Sequence, residues 1–404
     1  MNNQELAIAK LSKLKVGALF MEMGTGKTKV ALDLIASKKD KINYILWICP
    51  FSIKQEIEQE RLKWHPELKI DIIGVETISQ SSKEYLRVFN KVIESKSFIV
   101  VDESLKIKNM TAKRTKRILK LGSYAKYKLI LNGTPLSKNV LDLYPQMEFL
   151  SPKILNMSIT QFRNQYCEYY LQGRLKNKVK KQYNIEHLVS LIKPYIFDSK
   201  LDLGKDKTYH QINYSIEDLE EYENIKHGFL GFDNDIAFFS LATLLQKHYC
   251  TQKSRLELMR KTINSIDGQV IVFVKYLDSI PSEETHKIIG DMSNSKRDTI
   301  IQEFREGKFK TLYITYGCGS FGLNLQNCRN IIFADHTFDY SQRIQAEARI
   351  FRMGQEYDVD YYDMNCNCGL DKLIRGCLNK KIKLLDEVKE EIEKKGVEEW
   401  LKTI

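Results

Sequence analysis

The stretch Met21-Glu-Met-Gly-Thr-Gly-Lys-Thr28 constrains this chain more than any other. An apolar run at residues 16–20 precedes it, and Val30, Leu34 and Ile35 follow at helical spacing. Strand, glycine-rich turn and helix, in that order, form the setting in which a backbone can wrap a phosphate. Gly24 and Gly26 allow the tight turn, and the N-terminus of the helix adds positive potential that favours an anion. In this reading Met23, Gly24, Thr25 and Gly26 line the phosphates. Lys27 reaches the β- and γ-phosphates, and the Thr28 hydroxyl holds Mg²⁺. A glycine turn beside a chance lysine would look the same in isolation, so the weight falls on what the rest of the chain supplies.

The 404 residues suffice for two or three domains, each with its own core. A net charge of +11 and a pI near 9.0 favour a polyanionic partner. No run of 18 apolar residues occurs, so no membrane span is expected. The N-terminus lacks the basic-then-apolar profile of a secretory signal. The eight cysteines are scattered, which reads as reduced thiols in a cytosolic protein. Cys366, Cys368 and Cys377 show no fourth ligand and no usual zinc spacing.

After the glycine-rich turn, strand patterns at 44–49, 70–74, 98–101 and 128–131 alternate with helical patterns at 52–62, 83–94 and 111–121. That alternation predicts a parallel sheet covered by helices, an α/β class with ligands at the C-terminal strand ends. The strand at 98–101 ends in Asp102 and Glu103, about 75 residues after Lys27. The first acid can hold Mg²⁺ and the second can polarise an attacking water. The strand at 128–131 runs into Asn132-Gly-Thr-Pro-Leu136, a sharp turn able to sense a phosphate and relay its state.

Residues 149–262 lack this alternation and read as helices, at 159–171, 185–192, 216–227 and 235–263. Between Tyr166 and Tyr183 they mix tyrosines with Arg174, Lys176, Lys178, Lys180 and Lys181, a composition suited to nucleic-acid phosphates. From 263 onward strand patterns return at 269–274, 288–290, 311–315 and 331–334, the last taken as the final clear strand. The loop at 316–322 is rich in glycine and includes Gly322. A helix is predicted over 341–351, carrying Gln345 and Arg349, with Arg352 three residues on and on the same face. Two guanidiniums so placed suit a transferring phosphoryl group.

Taken together these stretches resemble a superfamily-two helicase of the Swi/Snf type. The matches are Met23-Gly-Thr-Gly-Lys-Thr28, Ile48-Cys-Pro-Phe51, Val101-Asp-Glu-Ser104 with Lys106-Ile-Lys-Asn109, and Leu131-Asn-Gly-Thr-Pro-Leu136. In the second half they are Ile271-Val-Phe273, Gly322-Leu-Asn-Leu325 and the run from Gln345 to Gln355. Met21, where strict phosphate loops have glycine, is usual in this family. The resemblance implies two RecA-like lobes, at 1–148 and 263–404, with a helical insertion at 149–262. It implies ATP and Mg²⁺ as cofactors, with Gln4 reading adenine and Arg349 and Arg352 acting as arginine fingers. It implies an ATP-driven motor on DNA: duplex favoured, single-stranded or branched DNA and RNA left open, with Pro50, Phe51 and the segments 74–79 and 315–319 as contacts. A strand-separating helicase and an uncoupled nucleotide-binding module are the alternatives. A monomer in the cytoplasm of a bacterial or phage-infected cell is expected. One departure stands out: the family has histidine as the fourth residue of its acidic motif, linking the phosphate site to the nucleic-acid side, and this chain has Leu105. Leucine forms no hydrogen bond through its side chain.

Overall fold

The computed structural model describes residues 2–133, 139–170, 179–231, 235–319, 325–380 and 397–403, with Leu384, Glu387, Val388, Glu391 and Lys394 between the last two. The chain divides into two compact units, one ending at Asp202 and the other running on from Leu203. Each is described by itself.

The strands of the first unit are β1 (Val16–Met21), β2 (Tyr44–Cys49), β3 (Asp71–Gly74), β4 (Ser97–Asp102), β5 (Tyr127–Leu131), β6 (Cys167–Tyr169), β7 (Val179–Gln182) and β8 (Ile196–Ser199). Six of them form one sheet in the order β3-β2-β4-β5-β1-β8, and every pairing is parallel. Parallel sheets are covered on both faces, so their strands read as near-continuous apolar runs. Alternate side chains supply two separate cores. Ala18, Ile48 and Val101 pack on one side, and Leu19, Trp47 and Val100 on the other. β6 and β7 stand apart as an antiparallel pair.

In the second unit the strands are β9 (Lys207–Tyr214), β10 (Val270–Val274), β11 (Lys287–Ile288), β12 (Thr311–Thr315), β13 (Asn330–Phe333) and β14 (Val359–Cys366). They form a second all-parallel sheet in the order β11-β12-β10-β13-β14-β9. The α/β class with two parallel-sheet lobes is therefore present.

Three expectations are corrected. The stretch 149–262 is not one helical insertion. It holds helices such as Ile159–Tyr166, Ile185–Ile192, Asp235–Cys250 and Lys253–Ser265, but also β6 to β9, and β8 and β9 form the edges of the two sheets. The division between units therefore falls inside it. Nor is β13 the last strand: β14 lies between β13 and β9. Its apolar pattern is broken by Asp360 and Asp363, which bond the side chains of His210 and Arg343. Finally, the helix expected over 341–351 is Tyr340–Glu347 and ends before both arginines. The Gln355 side-chain amide donates to the carbonyls of Gln326, Cys328 and Ile350 at 3.1 Å each. Gly354 beside it has φ +95°. These contacts hold the segment that follows the helix.

All eight cysteines are buried and unbridged. Among the described residues no helix is long and apolar enough to cross a membrane, and no group of three or more His, Cys, Asp and Glu side chains is arranged to hold a metal ion.

Candidate nucleotide site

The C-terminal ends of β1, β4 and β5 carry the chemistry of the first unit. β1 delivers the chain into the glycine-rich turn, where Gly24 (φ 78°) and Gly26 (φ 81°) are left-handed, a region that side chains other than glycine seldom adopt. Gly26 then caps the helix Lys27–Ala36. Thr25 fixes the turn through its hydroxyl, which donates to the Glu22 carbonyl at 2.6 Å. Lys27 opens the helix, and its Nζ donates to the carbonyls of Met21 (2.8 Å) and Glu22 (3.0 Å). Thr28 follows, half-exposed, in the first helical turn. Gln4, on the helix Asn3–Leu11, donates its amide to the Thr25 carbonyl at 3.2 Å. The expected adenine reader thus lies against the phosphate loop.

Asp102 closes β4 and is 7% exposed. Its Oδ1 accepts from the Glu103 N–H at 2.9 Å. Burial, and then the Glu103 charge, push its carboxyl up to about 7, while Lys27 opposes the rise. Glu103 has φ 51°, a left-handed backbone unusual for a residue with a side chain. Two crowded carboxylates near one lysine, beside a turn lined with N–H groups, suit a divalent cation carried by an anionic phosphate. The residues present fit ATP with Mg²⁺: loop N–H groups and Lys27 would hold the phosphates, Thr28 and Asp102 would hold the cation, and Gln4 is the residue that the family resemblance gives to the base.

Sequence reasoning missed the polar group beneath the acids. Ser104 is fully buried and donates to Gln146 Oε1 at 2.6 Å. Asn132, at the end of β5, reaches the same hydroxyl at 3.5 Å. The Gln146 amide donates to the Asp142 carbonyl at 2.7 Å. A serine and a glutamine 42 residues apart give no sequence signal of their pairing. Leu105 is half-buried in the turn Ser104–Ile107. Residues 134–138 of the turn after β5 lie outside the described residues.

In the second unit, Gln345 donates to Ser341 Oγ at 3.4 Å within its helix. Arg349 is 8% exposed, and its carbonyl accepts from the Leu325 N–H at 3.1 Å. Arg352 is half-exposed. It lies close enough to Arg305 that its charge, after burial, lowers the Arg305 pKa. Arg305 is a cation the sequence did not single out. Gly322 lies outside the described residues. Beneath this segment Arg343 bonds Asp363 of β14 and Glu347 Oε1 (2.9 Å). The Tyr209 hydroxyl of β9 donates to Glu347 Oε2 at 3.1 Å.

Residues 8–209 match the SNF2-related domain and residues 254–354 match the helicase conserved C-terminal domain. The chain is 26% identical over 398 residues to an "Uncharacterized ATP-dependent helicase" of Mycoplasma pneumoniae, covering 86% of this chain and 37% of that protein. It is 21% identical over 409 residues to the DNA annealing helicase and endonuclease ZRANB3 of Bos taurus, covering 89% of this chain and 38% of that protein. It thus spans less than two fifths of the length of these relatives. Among solved structures, the Sulfolobus solfataricus SWI2/SNF2 ATPase core in complex with dsDNA aligns over 100% of this chain and 97% of that chain, at 22% identity and a TM-score of 0.43. With half of its residues matched by the SNF2-related domain and the helicase C-terminal domain following in order, the chain belongs to the SNF2 family of helicase-like ATPases.

Proposed function

We propose that this chain is an ATP-driven motor that moves along or remodels duplex DNA without separating its strands. The observation that carries this reading is the convergence of Lys27, Asp102 and Glu103 at the C-terminal strand ends of one sheet. Family membership and the charge of +11 support a nucleic-acid track.

Bound ATP with Mg²⁺ supplies the phosphoryl group and a Lewis acid. The chain's own residues do the rest. Lys27, which bonds the carbonyls of Met21 and Glu22, would hold phosphate oxygens in their place. Asp102 and Thr28 would hold the cation. Glu103, turned off the strand by its left-handed backbone, is assigned to accept a proton from the attacking water. Arg349 and Arg352, in the second unit, are assigned to ATP hydrolysis by the family motif alone.

Steady-state ATP hydrolysis tests this, measured alone and with single-stranded DNA, duplex DNA or RNA, with Lys27→Ala as the blank. Strong stimulation by duplex, lost in Arg352→Ala, is expected. Stimulation chiefly by single strands or branched DNA would favour strand separation. Indifference to every nucleic acid would leave an uncoupled nucleotide-binding module.

A further inference from the structure

The polar group beneath the acids does not end at Gln146. Asp142, whose carbonyl accepts from Gln146, donates its own N–H to the Asn139 carbonyl at 3.1 Å. The next residue, Val140, donates its N–H to Gln182 Oε1 at 2.9 Å. Gln182 is the last residue of β7. Lys180 and Lys181 stand beside it, both exposed, and Tyr183 follows. A run of hydrogen bonds, joined through the backbone of Asp142 and the Asn139–Val140 peptide, therefore leads from the residue after the acid pair to a basic strand on the surface of the same unit.

Its two ends differ in kind. Ser104 and Gln146 are both fully buried, and a hydroxyl and an amide sealed from water hold one arrangement firmly when both are satisfied. Gln182 is exposed, so load on the lysine-bearing strand reaches the run through one side-chain contact. Leu105, next in sequence, offers no polar side-chain atom for the same purpose.

We propose that Ser104, Gln146 and Gln182 are positioning residues. Through them, contact of a nucleic-acid backbone with the Lys180–Lys181 strand is felt at Asp102 and Glu103. The inference rests on the motor reading above and names the route within the first unit.

The test is the ratio of duplex-stimulated to unstimulated ATP hydrolysis in the full chain. Replacing both buried partners together, Ser104→Ala with Gln146→Leu, orphans neither member of the pair but takes one partner from the Asn132 amide and one from the Asp142 carbonyl, so thermal unfolding is followed alongside and the ratio is read where the variant is folded. The ratio is expected to fall by about fivefold or more. Each single substitution should lower it as far as the pair does, because a broken link cannot be broken twice. Gln182→Ala, on the surface, should lower it too. Wild-type stimulation in the double variant and in Gln182→Ala would overturn the route while leaving the motor reading intact. Absence of stimulation in the unmodified chain would instead remove the motor reading, and the route with it.

Discussion

Asp102 and Glu103 are neighbours with opposite surroundings. The first ends a strand buried on both faces, so its charge is costly until a cation arrives. The second is half-exposed in a left-handed backbone. That contrast supports the roles proposed for them: one carboxylate to hold a cation, one to handle a proton. Glu103→Gln should therefore lower kcat by about 10²- to 10⁴-fold with little change in the KM for ATP, measured under duplex saturation. A comparable rise in KM would assign Glu103 to binding instead. At this scale the glycine-rich turn, Lys27 and the acid pair were legible because their chemistry is fixed by local spacing. Ser104, Gln146 and Arg305 were not, because a polar side chain gains its meaning from partners that only the fold brings near. The expected shared helical face of Arg349 and Arg352 is absent because the helix ends at Glu347, and beyond it Gln355 takes the Ile350 carbonyl.

Elements here are fastened by charged side chains as much as by apolar faces. Arg343 is nine-tenths buried between Asp363 and Glu347, with its guanidinium over the Phe333 ring. Removing one partner of such a set strands the others, so Arg343→Ala should destabilise the second unit by about 3–5 kcal/mol, read from the denaturant midpoint. His65 fastens the helix Lys27–Ala36, bonding Asp33 through Nε2 (2.8 Å) and Glu67 through Nδ1 (2.9 Å). Burial works against its proton, but the two carboxylates prevail and raise its pKa. A histidine raised on folding adds stability that is full below its ordinary value of about 6.5 and is lost as pH climbs through the raised value. His65→Gln should accordingly lower Tm by about 1–3 °C at pH 6 and by less at pH 9. An equal loss at both would show that the imidazolium plays no part. The same polar fastening explains which strands the sequence concealed. β1, β2, β4 and β10 are apolar runs and announce themselves. β9 and β14 pair along eight residues each, yet carry His210, Gln211, Asp360 and Asp363, whose polarity is consumed by one another and by Arg343.

For the whole molecule, what matters is where one folding unit stops. The first sheet is complete only with β8, which pairs with β1 from Ala18 to Met21. Glu22 extends that contact: its N–H donates to the Ser199 carbonyl at 3.0 Å, and its carboxylate accepts from the Leu201 N–H at 2.9 Å. A fragment of residues 1–202 should unfold in one sharp transition, whereas 1–148, with the β1 edge uncovered, should melt lower or aggregate. Equal stability of the two by calorimetry would mean that β8 is dispensable. The two-lobe plan was visible in the alternation of patterns. The boundary was not, since a short edge strand amid helices has too few residues to declare its period.

The burial of every cysteine has a practical corollary. A maleimide should find no partner on the native chain. Dye uptake by the unaltered protein then becomes a clock for opening, and a single cysteine introduced in each half becomes a clean anchor for fluorophores. The chain is in effect already blank for distance measurements during turnover, with no native thiol to be removed first.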